Sequence, residues 1–266
     1  MKTYFQSNKE HWNKRVSIHL KSDMYGQSSF LEGRNSLNHP ELKHFGDVKG
    51  KDILHLQCHF GQDSLSLQRM GAQVTGLDFS SEAIAKAREF NKELNLNAQF
   101  VEANVMEAEQ QVSGKFDWVF TSYGTIVWIP RLAHWAKNIA HFLKEGGEFL
   151  MVDFHPVMYM LDDDYSEFGY PYFTREEPFA DNISETYTEN KEGLSGTEYF
   201  WNHPTSSIFT ALLNAGLELK AYEEFPYSCY KCFPHMEKIS DEHYQFTKHK
   251  GNIPYMYLMR WQKKSL

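Results

Sequence analysis

Asp52-Ile-Leu-His-Leu-Gln-Cys-His-Phe-Gly-Gln-Asp63 and, one short helix later, Ala72-Gln-Val-Thr-Gly-Leu-Asp-Phe-Ser80 are the stretches whose reading decides the fold. Ile53, Leu54 and Leu56 form a short apolar run that stops in a polar, Gly-containing turn, the pattern of a buried strand. Residues Asp63 to Met70 carry Leu65, Leu67 and Met70 on a short amphipathic helix that Gly71 closes. Val74 to Leu77 read as a second buried strand, with Asp78 at its carboxyl end. Strand, turn, helix and a strand ending in an acid open an α/β sheet, in which ligands bind outside the carboxyl ends of the strands. An acid at that point can accept both hydroxyls of a ribose. A nucleoside-bearing cofactor is therefore the first expectation.

The turn narrows the choice. A dinucleotide site wants Gly-x-Gly-x-x-Gly so that backbone N–H groups can crowd onto a pyrophosphate. Here Gln57, Cys58, His59 and Phe60 precede Gly61, and no Gly-x-x-x-x-Gly-Lys run occurs. The stretch instead resembles the first motif of class I S-adenosylmethionine-dependent methyltransferases, in a variant reading Leu-His-Leu-Gln-Cys-His-x-Gly. Where that family has an acid and three alternating glycines, this chain has His55, Gln57, His59 and Gly61. The run Phe-Leu-Lys-Glu-Gly-Gly-Glu-Phe-Leu (142–150) is similar to the family's later motif, in which Gly-Gly lets a helix turn sharply into the fifth strand. The resemblance runs element by element from Asp52 to Phe154. It implies a Rossmann-like α/β fold: a seven-stranded sheet with helices on both faces, an N-terminal helical cap and a lid inserted after strand five.

Composition sets the outer bounds. The chain has 266 residues, 41% hydrophobic and 15% aromatic, enough for one substantial core with an insertion. A net charge of −8 without a basic stripe makes nucleic acid a poor partner. No apolar run approaches the roughly 20 residues of a membrane span, and the first residues lack the apolar core of a signal peptide. Three cysteines without a framework suit a reducing compartment, and a cytoplasmic location is expected.

Taken in order, Trp12, Val16 and His19 fall at helical spacing, followed by Tyr25 and Gly26. Residues 31–50 read as a mixed, Gly/Asn-rich approach to the first strand. Ser80 or Ser81 with Glu82 caps a helix through Ile84, Ala87 and Asn91; Ala98 to Val101 make a third strand and Lys115 to Thr121 a fourth. Ile129-Pro130 opens a helix with Leu132, Trp135, Ile139 and Phe142 on one face, and Glu148 to Asp153 make a fifth strand. Beyond it the character changes. Residues 157–200 are acidic, aromatic and loop-rich, with Tyr187 to Asn190, Gly193 and Gly196 to Trp201 read as a hairpin. Thr205 or Ser206 caps a further helix, and Leu217 to Phe225 and Tyr255 to Trp261 are the last two strands, an antiparallel pair in the family. The expected organisation is a single domain: cap 1–50, cofactor-binding core 51–155, lid 156–203, and 204–266 completing the sheet.

The resemblance implies a set of site residues. Trp12 and Tyr25 would close over the cofactor, Gln57, Cys58 and Gly61 lie in the turn at its amino-acid end, and Asp78 with Phe79 holds the ribose. Asn104 would reach the adenine amino group, with Val105 reading the ring, and Ser122, Tyr123 and Trp128 complete the wall. Tyr25, Tyr123 and Trp128 can face a sulfonium by cation–π contact, worth about 0.5–2 kcal/mol. For an acceptor that must lose a proton, the candidate groups are His155 first, His203 second, and Tyr123. The stretch Ser122-Tyr123-Gly124-Thr125 lacks the Asn/Asp-Pro-Pro-Tyr/Phe sequence of nucleobase and amide methyltransferases, so the expected reaction is S-adenosylmethionine-dependent methyl transfer to a small molecule. Two alternatives stay open: a non-catalytic protein that binds S-adenosylmethionine or its demethylated product, and a nicotinamide-dependent oxidoreductase on the same sheet. A homodimer is possible. Cys229, Cys232, His235 and His243 have some metal-ligand spacing, as do Asp162 to Asp164, but loop roles outweigh a metal at both places and no metal is expected. His55, Cys58 and His59 suggest nucleophilic catalysis less than contact with the cofactor.

Overall fold

The structure, a computed structural model, describes residues 2–162, 164–189 and 194–265. Three helices come first, α1 (Lys2–His19), α2 (Gln27–Leu31) and α3 (His39–Phe45). The alternating core follows as β1 (Asp52–Leu56), α4 (Gln62–Arg69), β2 (Gln73–Asp78), α5 (Ser81–Glu93), β3 (Gln99–Glu102), β4 (Phe116–Ser122), α6 (Leu132–Phe142) and β5 (Leu143–Phe154). After it come β6 (Phe179–Ile183), β7 (Gly196–Phe200), α7 (Thr205–Asn214), β8 (Leu217–Phe225), β9 (Met236–Lys238), β10 (Tyr244–Phe246) and β11 (Met256–Lys263). Seven strands form one sheet in the order β3-β2-β1-β4-β5-β11-β8. The first five run parallel, and β11 lies antiparallel between β5 and β8. This is the expected Rossmann-like sheet.

Alternation along the strands sends side chains to two cores. Ile53, Val74, Phe120 and Val152 pack with Phe45, Leu65, Ile84 and Phe90 on the face covered by α3, α4 and α5. Leu54, Leu56, Val119 and Met151 pack with Trp135, Ile139, Ile208 and Leu212 under α6 and α7. The Gly146-Gly147 step behaves as the sequence suggests: a Cβ on Gly147 would lie 2.9 Å from the Lys144 carbonyl oxygen and 3.0 Å from that of Phe116. The β4–β5 register shifts at the same level.

Several local expectations need correction. The helix α3 lies inside the stretch read as irregular, with Pro40 in its first turn, where a missing N–H costs nothing. The helix α6 starts at Leu132 rather than at Ile129-Pro130, and β5 begins directly at Leu143. Pro204, not Thr205 or Ser206, occupies the N-cap of α7, without a side-chain cap. The hairpin pairs β6 with β7, so Tyr187 to Glu189 are not strand; Asn190 and Gly193 lie outside the described residues, as does Asp163 of the acidic run. Asp162 is used locally, its Oδ1 accepting the Ser166 N–H at 2.8 Å. Cys229 and Cys232 are buried in an apolar cluster with Phe154, Met236 and Phe246. Among the described residues no group of three or more His, Cys, Asp or Glu is placed to hold a metal, and no helix is long and apolar enough to cross a membrane.

The hairpin is bound to α1. Asn8 imitates a neighbouring strand: its Nδ2 donates to the Tyr199 carbonyl at 2.8 Å and its Oδ1 accepts the Tyr199 N–H at 2.9 Å. Arg15 and Glu198 form a buried bidentate ion pair, with Arg15 Nη2 2.9 Å from Glu198 Oε2. Between those two residues on α1, Asn13 Oδ1 accepts a hydrogen bond from Ser80 Oγ at 2.6 Å. One helix thereby joins the end of β2 to the hairpin.

Candidate active site

A cavity of about 460 Å³ opens at the carboxyl ends of β1, β2 and β4, beneath α1 and the hairpin. Its floor is the turn after β1. Gln57 and His59 hold φ of 54° and 51°, a conformation that favours glycine. The chain thus follows the path that glycines would take, with larger side chains standing on it. At Gly61, φ is 79° and a Cβ would fall 2.7 Å from the Phe100 ring, so a side chain is excluded there. Cys58 Sγ would lie 2.9 Å from a Cβ on Gly76, which places the thiol in the strand packing; burial pushes it well above the usual thiol range.

Backbone donors fix the acid at the end of β2. Asp78 Oδ2 accepts the His59 N–H at 2.9 Å and Oδ1 the Ser80 N–H at 2.8 Å. Burial raises its carboxyl to about 6 against these hydrogen bonds. Asn104 lies beyond β3, and its Oδ1 accepts the Met106 N–H at 2.9 Å. An amide oxygen has two acceptor sites, so one is left for a ligand.

Rings close this end. Trp12 meets His59 edge-on at 5.5 Å and Trp128 at 5.8 Å. Tyr25 stacks on His59 at 5.5 Å, and its hydroxyl lies 2.6 Å from that of Tyr187. His19 Nδ1 lies 3.4 Å from His59 Nε2, and burial lowers the two imidazoles to about 2 and about 3, so both are neutral. Trp12 Nε1, Gln57 Oε1, His59 Nδ1 and Trp128 Nε1 are buried without a hydrogen-bond partner, and all four residues line the cavity. Orphaned polar atoms converging on one cavity point to a polar ligand.

At the opposite end, Asp153 shapes the turn after β4. Its carboxylate accepts the N–H groups of Gly124, Thr125 and Ile126 and the Thr125 hydroxyl. Tyr123 is held at φ 47°, strained for a residue with a side chain, and its ring enters the cavity wall. Asp63, in the first turn of α4, accepts Ser36 Oγ at 2.6 Å and Ser122 Oγ at 3.3 Å, and burial raises its carboxyl.

Every residue expected to touch the cofactor lines this one cavity: Trp12, Tyr25, Gln57, Cys58, Gly61, Asp78, Phe79, Asn104, Val105, Ser122, Tyr123 and Trp128. Of the proton-accepting candidates, only Tyr123 does. His155 is buried with its Nε2 3.0 Å from Glu224 Oε1, its ring edge-on to Tyr257. The reason is alternation: Phe154 faces the cavity, so its neighbour points away from it. His203 is also buried, bonded through Nε2 to the Ile129 carbonyl at 2.7 Å. Neither imidazole lines the cavity. Asp63, Arg34 and Ser36 line the cavity and were not singled out in the sequence. A carboxylate one turn into α4 was a usable signal; Arg34 and Ser36, in an irregular segment, gave none.

Residues 53–147 match the model of the methyltransferase domain family. Over that stretch the chain is similar to methyltransferase domains. It is 32% identical over 126 residues to a ubiquinone biosynthesis O-methyltransferase of Albidiferax ferrireducens, a match covering 47% of this chain and 50% of that protein. The chain thus spans about half the length of the curated relatives it matches. An S-adenosylmethionine-dependent methyltransferase from Clostridium acetobutylicum shares the fold with a TM-score of 0.58 at 15% identity, covering 93% of this chain and 95% of the other. So does a magnesium protoporphyrin IX methyltransferase from Synechocystis with bound S-adenosylhomocysteine, with a TM-score of 0.51 at 12% identity and coverage of 95% and 100%.

Proposed function

We propose that this protein binds S-adenosylmethionine in the cavity under α1 and transfers its methyl group to a small-molecule acceptor held in the same space. The observation that carries the reading is the convergence of twelve residues chosen from the sequence alone on one cavity, with orphaned polar atoms among them. Asp78 would accept the ribose hydroxyls, and Asn104 with Val105 would meet the adenine. Asp63 and Arg34 supply opposite charges suited to the ammonium and carboxylate of the methionine end. When bound, the cofactor supplies an activated methyl group and leaves as S-adenosylhomocysteine. The protein's own contribution is to orient the acceptor and exclude water, through α1 and the hairpin. Enclosure of the cavity and the net charge of −8 favour a small acceptor over a nucleic acid.

Ligand-induced thermal stabilisation tests the reading. A ligand at 100 times its Kd adds about 2.7 kcal/mol to the folded state. S-adenosylhomocysteine is expected to raise the unfolding temperature, with NADH leaving it unchanged. Stabilisation by NADH alone would return the nicotinamide reading.

A further inference from the structure

Glu41 belongs to no part of the site described so far. It sits in the first turn of α3, fully buried and facing no cationic group. A buried carboxyl without a counter-charge is expensive and calls for a reason. The groups facing it are the Tyr123 hydroxyl and the Asn38 amide, with Asp63, Cys229 and Tyr230 beyond. Lys43 and His44 of the same helix reach outward to Glu223 and give it no counter-charge. Asn38 Nδ2 donates to Tyr230 Oη at 2.8 Å and to Tyr123 Oη at 3.2 Å, which fixes both phenols around the carboxyl.

The cavity wall in front of Tyr123 is aromatic: Phe154, Tyr159, Tyr165, Tyr230 and Phe233. The only Lys or Arg side chains on the described cavity wall are Arg15, paired with Glu198, and Arg34, held beside Tyr25 and Ser29 and assigned above to the methionine end of the cofactor. This end therefore suits a flat, uncharged body and offers nothing to a carboxylate or phosphate.

Resting on the methyl-transfer reading, we propose that the acceptor is an uncharged aromatic compound methylated at an O–H or N–H group, and that Glu41 is the positioning residue that takes the displaced proton through Tyr123. As the acceptor heteroatom's lone pair bonds to the methyl carbon and the C–S pair stays on sulfur, the acceptor proton passes to the Tyr123 oxygen. The Tyr123 proton passes to a Glu41 carboxylate oxygen and is later lost to solvent. Tyr123 touches the acceptor; Glu41 acts only through it. Burial pushes the Glu41 carboxyl up to about 8, so the relay works from the ionised form and gains as pH rises toward that value.

The test pairs spectroscopy with turnover, on wild type, Glu41→Gln and Tyr123→Phe. Infrared titration is expected to show a protonated carboxyl band lost around pH 8, absent from Glu41→Gln and displaced in Tyr123→Phe. No such band titrating above the ordinary carboxylate range would overturn the role of Glu41. Release of S-adenosylhomocysteine is then followed with catechol, 2-naphthol and aniline against benzoate and 2-naphthoate. Turnover of the phenols assigns oxygen and of aniline nitrogen, with kcat lower by about 10²-fold or more in both variants and the rising pH limb lost. Cofactor affinity is expected to stay unchanged in Glu41→Gln. Turnover of the carboxylates, or a wild-type pH profile in Glu41→Gln, would overturn the proposal. Cofactor binding without turnover of any phenol or amine would overturn the acceptor class alone, and absence of cofactor binding would overturn the methyl-transfer reading beneath it.

Discussion

Gln57, His59 and Gly61 occupy one turn and answer its geometry in two ways. The first two carry side chains on a left-handed backbone because these project toward the cavity, where Gln57 Nε2 reaches the Thr125 carbonyl at 3.0 Å and His59 packs among the rings. Gly61 has no such room. Gly61→Ala is therefore expected to cost about 1–3 kcal/mol, measured by chemical denaturation, and to weaken S-adenosylhomocysteine binding; unchanged stability would mean that Phe100 yields freely. Glu41 gives a second outcome of known sign. Its carboxyl is protonated in the fold up to about 8 but ionises near 4.5 in the unfolded chain, so between these values the unfolded state holds fewer protons and stability falls as pH rises, by about 1.4 kcal/mol per pH unit per group. The stability of Glu41→Gln relative to wild type is expected to grow from pH 4.5 to 8, and a constant difference would contradict the burial cost. Asp78 was legible because an acid closing an apolar run has a fixed place in this architecture. Glu41 was not, because its surroundings are made by Tyr123 and Tyr230, from distant parts of the chain.

At the scale of elements, the parallel strands were readable because each is a short apolar run ending in polar residues, and α4, α5 and α6 because their apolar faces repeat. The short helix α3 has too few turns for periodicity to mark it, and the hairpin is held by partners outside itself. The α1 helix carries that load: Asn8 extends the edge of β7 and Arg15 pairs with Glu198. Arg15→Ala leaves a buried carboxylate unpaired and is expected to cost about 3–5 kcal/mol, whereas Arg15→Met with Glu198→Leu should recover most of it. Denaturant unfolding of the single and double variants checks this; a small loss in Arg15→Ala would mean that the hairpin docks without the pair. His155 shows the limit of element-level reading. Its place just past β5 was right for a base, and one step of alternation turned it toward Glu224.

For the whole molecule, buried titratable groups of two kinds oppose each other. Burial lowers His19, His55, His59 and His203 to between about 2 and about 4, and lowers His11 and His155 too, so these imidazoles hold fewer protons in the fold than in the unfolded chain. Over the histidine titration the unfolded state binds more protons, and stability falls as pH drops. Raised carboxyls, Glu41 above all, act in the other direction as pH rises. Stability is expected to peak between about pH 6.5 and 8, as thermal unfolding across pH would show, and a maximum at acid pH would mean that the histidines titrate freely. Members of both kinds, His55 and His59 with Asp63 and Asp78, line the cavity between the sheet's carboxyl edge and the covering α1 and hairpin, and its assignment to the cofactor is open to direct measurement. Isothermal titration with S-adenosylhomocysteine is expected to give saturable binding at one site per chain in wild type and in His155→Ala, and none in Asp78→Ala. Full binding by Asp78→Ala, or no heat from the wild type, would contradict the assignment of this cavity to the cofactor.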